Sequence, residues 1–212
     1  MARSKAAQKP MGSTPVKPTR DGQRTAEAMR EAAAELFHTH GYEATSLREV
    51  ASTVGIQVGS LYNHISGKDQ LLSIIMIEVL EDLLVAMDDA TQDLDDPVQR
   101  LEAAIDCHIR FHAERRRDVF IGNSELRSLA PDDRKRVVAL RKRYEEILRE
   151  LVMAATSSAG GDIVDPKLQV FAIVAIGTHV SSWYLPGRGY SLDAIVDRYT
   201  TMIFRQLAMP RP

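Results

Sequence analysis

The chain has 212 residues, 44% of them hydrophobic and 6% aromatic, with a formal net charge of −2 and a single cysteine. That length accommodates one small domain and a second with its own core. The lone Cys107, read as a small helical core residue, excludes an internal disulfide, and no apolar run reaches the roughly 18 residues of a membrane span.

The small net charge hides a gradient, since residues 1–72 carry net +2 and residues 73–212 net −4. In the segment 1–20, Arg3, Lys5, Lys9, Lys17 and Arg20 precede any acid and lie among Pro10, Pro15 and Pro18. This is the composition of a disordered cationic tail, either a solubilising extension or an arm along a phosphate backbone. It has no apolar core of the secretory kind, so a cytoplasmic protein without a membrane partner is expected.

A first helix is predicted over 21–40, ending before Gly41. Thr45 and Ser46 then supply N-cap oxygens, and Ser46 with Glu49 has the capping-box form. The helix that follows puts Leu47, Val50, Ala51 and Val54 on one face and stops at Gly55. The next, over 57–64, turns Leu61 and Ile65 inward and leaves Ser60, Tyr62, Asn63 and His64 outside. Two short helices about a glycine turn form a helix-turn-helix, whose second member enters the major groove of DNA. The DNA-contacting set is therefore Thr45, Ser46, Gln57, Val58, Gly59, Ser60, Tyr62, Asn63 and His64. Ser66 and Asp69 are read as the cap of a long helix over 68–88, with Lys68 at its start on phosphate.

Beyond it, Asp96-Pro97 opens a helix to 115, a shorter one covers 119–129, and Pro131 begins a long one to 157. Gly160-Gly161 is a loop, Asp165-Pro166 starts a helix to 184, and Ser191 caps the last, over 192–207. The expectation is an all-α chain of about nine helices: a DNA-binding domain over 21–67, then a helical domain over 68–212. The last two helices are apolar on more than one face. They need two partners, the domain core and a second copy, through Phe171, Val174, Val180, Ile195, Tyr199, Met202 and Ile203; a monomeric core is the simpler alternative.

Residues 32–72, AAAELFHTHGYEATSLREVASTVGIQVGSLYNHISGKDQLL, resemble the N-terminal pattern of the tetracycline-repressor (TetR) family of bacterial regulators. The AxxLFxxxGYxxTS opening, the VGSLYNHI segment and the KDxLL ending occur in order. The chain departs from the pattern at Gln57, where Ser or Thr is common, and at Val58, where Lys or Pro is. The resemblance implies a homodimeric repressor on palindromic operator DNA, released by a small apolar or amphipathic effector bound between the fifth and eighth helices. Candidate effector contacts are His108, Phe111, His112, Phe120, Asn123, Glu125, Arg127, Tyr144, His179 and Trp183. The Trp183-Tyr184-Leu185-Pro186-Gly187 run looks like regulators of fatty-acid or sterol catabolism that respond to acyl-CoA thioesters.

His108 and His112 share a helical face at i, i+4, which suits pocket hydrogen bonds, a core edge, or a metal completed by Glu125 or His179; no metal or cofactor is assigned. His38 and His40 are read as structural. The Arg115-Arg116-Arg117 run is a solvated helix end or an anion contact for a phosphate-bearing effector. An enzyme is not expected: there is no G-x-S-x-G elbow, P-loop or dinucleotide fingerprint. The alternative left by Gln57 and Val58 is a small-molecule or metal-binding protein of the same fold without operator binding.

Overall fold

A computed structural model describes residues 20–211. The predicted tail thus lies outside the described residues, except for Arg20, which opens the first helix. α1 (Arg20–His40) buries Met29, Phe37 and an alanine face. α2 (Leu47–Val54) begins on the capping box: the Glu49 carboxylate accepts from the Ser46 N–H at 2.7 Å, and the Glu49 N–H donates to Ser46 Oγ at 3.3 Å. It ends at Gly55, whose φ of +76° lies in the left-handed region that a Cβ disfavours.

α3 (Val58–Leu61) is shorter than the predicted 57–64. Gln57 makes no side-chain cap and Gly59 is a poor helix former. Bonds from Asn63 N–H to the Ser60 carbonyl and from His64 N–H to Leu61 continue the segment as turns. α4 (Lys68–Thr91) starts from Gly67, which has no side-chain cap. Ser66 reaches Gln70 instead of the expected Asp69, donating from its N–H and Oγ to Oε1 at 2.6 and 2.9 Å. The helix outlasts the predicted 88 because its buried face continues from Met87 to Thr91, whose hydroxyl is satisfied by the Met87 carbonyl at 2.9 Å.

α5 (Pro97–Glu114) is capped by the Asp96 carboxylate on the N–H groups of Val98 and Gln99. α6 (Arg116–Ser124) follows after Arg115 alone, earlier than predicted, and gives way to a 3₁₀ turn (Leu126–Ser128). The reason is Asp118: its buried carboxylate sits in the first turn, where the helix dipole favours it, paired with Arg115 at 2.8 Å and Arg117 at 3.2 Å. α7 (Pro131–Ala159), α8 (Pro166–Trp183) and α9 (Leu192–Gln206) complete the chain. The fold is all-α, and among the described residues no helix is long and apolar enough to cross a membrane.

Two apolar cores organise these helices. One gathers Phe37, Val50, Leu61, Leu72 and Met76 from α1–α4 together with Ile121 of α6, Leu129 and Val137 of α7. The other lies among α4, α5, α7, α8 and α9, around Leu101, Ile105, Leu148, Val152, Ile173 and Ile203. Leu140 of α7 packs against both. The N-terminal three-helix unit is therefore braced through α1 on α6 and not merely tethered through α4.

Candidate functional site

The outer surface of the helix-turn-helix carries Gln57, Gly59, Ser60, Tyr62, Asn63 and His64, all exposed, with Tyr62 at 57% the most prominent apolar surface there. Val58 is half-buried. Leu61 and Ile65 point into the core as their spacing requires. Two members of the predicted set have other employment. Thr45 is buried, its hydroxyl donating to the Gly41 and Leu36 carbonyls at 2.9 and 3.2 Å, so the N-cap is Ser46 alone. Lys68 spends its three N–H donors on the carbonyls of Tyr42, Glu43 and Thr45 at 2.8, 3.3 and 3.1 Å, with its ammonium 4.2 Å from the centre of the Tyr42 ring. It ties the α1–α2 loop to α4, leaving no donor for phosphate.

Beneath this head lies an open cavity of about 1510 Å³, walled by α1, α4, α5, α6, α7 and α8 with Tyr199 of α9. Drug-sized sites run to about 300–1,000 Å³, so this one has room for a long ligand. Its apolar wall includes Met76, Val79, Leu80, Leu83, Phe111 and Ile176. Of the predicted effector contacts, Phe111, His112, Phe120, Asn123, Tyr144 and His179 line it. His108, Glu125, Arg127 and Trp183 do not. Glu125 instead accepts from Ser128 at 3.0 Å, Arg127 faces solvent, and Trp183 lies exposed one turn beyond His179. The α4 wall escaped sequence reasoning because its apolar residues read equally well as core. So did His38 of α1, which lines the cavity and meets Phe120 edge-on at 5.2 Å.

His108 is the hidden support of this cavity. Fully buried, it donates from Nε2 to the Val174 carbonyl at 3.3 Å and accepts the Tyr144 hydroxyl at Nδ1, linking α5, α7 and α8. His112 donates from Nδ1 to the His108 carbonyl at 2.8 Å, which leaves the Nε2 lone pair as the polar atom it can offer the cavity. Burial holds both imidazoles neutral, His108 well below its ordinary pKa and His112 at about 4, and pushes the Tyr144 phenol up. With both nitrogens of His108 engaged, the pair does not present two lone pairs to one ion. Among the described residues no cluster of three metal-ligating side chains occurs. Half-buried Cys107 has its thiol pushed up to about 11 by desolvation, so it is a poor nucleophile.

The arginine run does more than end a helix. Arg117 reaches α1, pairing with Glu31 at 2.7 Å and Glu35 at 3.6 Å. Arg115 pairs with Asp82 of α4 at 3.0 Å, and Arg30 of α1 with Glu78 of α4 at 3.0 Å. Since Glu35, His38, Arg117 and Phe120 all line the cavity, α1 of the reading head forms part of its wall.

On α8 and α9 the apolar side chains are shared among core, cavity and outer surface. Val180, Ile195 and Ile203 are buried in the chain's own core, so they are not available to a second copy and a charge at Ile203 would disrupt folding. Val174 and Tyr199 are half-buried and line the cavity. Leu168, Phe171 and Met202 are exposed, at 64%, 42% and 48%, and Phe171 also lines the cavity.

A helix-turn-helix head on a cavity-bearing helical body defines a class of DNA-binding regulators. Residues 30–74 match the family described as bacterial regulatory proteins, tetR family, and residues 94–207 match the tetracyclin repressor-like C-terminal domain. The chain belongs to the TetR family of transcriptional regulators. It is 24% identical over 193 residues to the HTH-type transcriptional repressor KstR2 of Rhodococcus jostii, covering 90% of this chain and 94% of that one. A TetR-family regulatory protein from Rhodococcus RHA1 superposes with a TM-score of 0.82 at 27% identity, covering 88% of this chain and 98% of that one. AibR, solved in complex with isovaleryl coenzyme A and operator DNA, gives a TM-score of 0.77 at 27% identity, covering 88% of this chain and all of that one, 100%.

Proposed function

We propose that this regulator is a cytoplasmic homodimeric repressor, released from a palindromic operator by an acyl-CoA thioester. The observation that carries the reading is that one cavity is walled both by the helical body and by α1 of the reading head, so a ligand there touches the element it must move. Support comes from the repressor KstR2 and from AibR, whose complex holds both an acyl-CoA and operator DNA. In this reading residues 21–67 are the reading head and 68–212 the effector and dimerisation part.

Ser60, Tyr62, Asn63 and His64 meet base edges, while Ser46, Gln57, Val58 and Gly59 flank them. Phe111, Phe120, Tyr144 and His179 contact the acyl group, with His112 Nε2 accepting from a donor on the ligand. Leu168, Phe171 and Met202 pack across a two-fold axis with the same residues of the second copy. An effector that separates α6 from α1 strains the Arg117 pairs with Glu31 and Glu35 and tilts the head, so the two heads no longer fit grooves about 34–36 Å apart. A ligand shifts this equilibrium only by its differential affinity for the two states.

The test is fluorescence polarisation on DNA from upstream of the gene, with isovaleryl-CoA and longer thioesters added. Release by a thioester at concentrations where free CoA does nothing supports the reading. Tight operator binding that no thioester alters refutes the effector, and thioester binding without any operator binding refutes the repressor.

A further inference from the structure

Three arginines line the cavity, and their pairing differs. Arg117 has carboxylates at 2.7 and 3.2 Å. Arg141 of α7 and Arg116 of α6 have none within ion-pairing distance among the described residues. Each is instead fixed by one backbone carbonyl. Arg141 donates from Nη2 to Gly122 at 2.6 Å, and Arg116 donates from Nε to Ser181 at 2.9 Å. A guanidinium has five N–H donors, so on each of these two cavity-lining side chains four are left without a protein acceptor among the described residues.

Both arginines are half-buried. Desolvation holds Arg141 below the ordinary arginine range, against the pull of Glu145 one turn along α7. A desolvated cation without a counter-ion is costly. Tethering each side chain by a carbonyl orients the charge without neutralising it, which is the arrangement a planar fork needs to receive a carboxylate or phosphate in bidentate fashion. The two tethers bear on different elements of the same cavity wall, that of Arg141 on α6 at Gly122 and that of Arg116 on α8 at Ser181.

We propose that Arg141 and Arg116 form an anion site in the cavity, holding the charged end of an amphipathic ligand whose apolar part lies against α4 and Phe111. The anionic group is a phosphate of a CoA thioester or the carboxylate of the free acid. The choice between these sources rests on the effector reading above; the site itself does not.

The experiment uses the full chain, Arg141→Gln, Arg116→Gln and the double variant, with Arg141→Lys as the charge-retaining control. Thermal melting is followed with inorganic pyrophosphate and with hexanoate, against sodium chloride at matched ionic strength. The wild type should melt higher with at least one of the two anions. The double variant should lose that gain, and Arg141→Lys should keep part of it.

Calorimetric titration then compares hexanoyl-CoA, hexanoate and the neutral N-acetylcysteamine thioester of hexanoate. The glutamine variants should lose about 10- to 100-fold in affinity for the anionic ligand, the scale of charge-assisted hydrogen bonds, and nothing for the neutral one. Loss confined to hexanoyl-CoA assigns phosphate, and loss confined to hexanoate assigns carboxylate. If neither anion stabilises the wild type, or the double variant gains equally, the site is refuted whatever the thioesters do. A site that passes while no thioester binds refutes the acyl-CoA reading alone.

Discussion

A methyl group at Gly177 is the sharpest test of how the cavity is built. A Cβ there would come closer than 3.0 Å to Cδ2 and Nε2 of His108 and to 3.1 Å from Cε1. His108 is fully buried, so it cannot swing into solvent. It must give up its bonds to Tyr144 and Val174 and, with no free space beside it, also push α5 from α8. Overpacking of this kind costs about 1–3 kcal/mol, and the two buried hydrogen bonds about 1 kcal/mol each. Replacing a mid-helix glycine by alanine returns about 1 kcal/mol. The net expectation for Gly177→Ala is a loss of about 2–4 kcal/mol, which for a chain of this size lowers Tm by roughly 4–16 °C.

Thermal unfolding at fixed protein concentration measures it. The cause is isolated by repeating the substitution in a His108→Ala background. There the new methyl enters vacated space, and only the gain in helix propensity remains. A melting point within 2 °C of wild type, or an equal penalty in both backgrounds, would refute the placement of His108 beneath the cavity.

Four further outcomes are expected. Tyr62→Ala should weaken operator binding about 10- to 100-fold, the scale of one good base contact; unchanged polarisation isotherms would remove Tyr62 from the reading surface. Leu168→Glu with Met202→Glu should give monomers in sedimentation while leaving helicity intact, because both side chains are outward; an unaltered dimer moves the interface elsewhere. Glu31→Gln removes pairs that are partly solvated, so stability should change by less than about 1 kcal/mol. The ratio of operator affinities with and without thioester should nonetheless shrink severalfold, and an unchanged ratio would show that the α1–α6 pairs do not carry the signal. Finally, His112 is held at about 4 in the fold against its ordinary 6.5, so the unfolded chain takes up a proton that the fold refuses. Stability from this residue is complete above pH 6.5 and falls as pH drops toward 4, by about 3 kcal/mol in all. His108 acts in the same direction, and a flat denaturant midpoint from pH 7 to 4.5 would contradict the buried neutral pair.

The architecture was legible in the sequence because its signals are local. Capping oxygens at Ser46, Asp96, Asp165 and Ser191, the glycine at 55 and the prolines at 97, 131 and 166 act on backbone groups within one turn. They mark helix starts and stops whatever the rest of the chain does, and the i, i+4 pair Leu61 and Ile65 fixes which side of the reading segment faces out. Assigning a side chain to its partner is a different matter, since burial depends on residues far away in sequence. Lys68 looks like a phosphate contact until the α1–α2 loop brings three carbonyls to it. Ile203 and Met202 are equally apolar neighbours on α9, yet packing against α5 encloses one and leaves the other outward. Trp183 and Arg141 trade expectations for the same reason: at the last residue of α8 the indole is exposed and outside the cavity lining, and the contact of α7 with Gly122 places an unremarked arginine at its wall. Short-range hydrogen bonding and periodicity determine the helices; which charges stay unpaired, and in which cavity, is set only when distant helices close on one another.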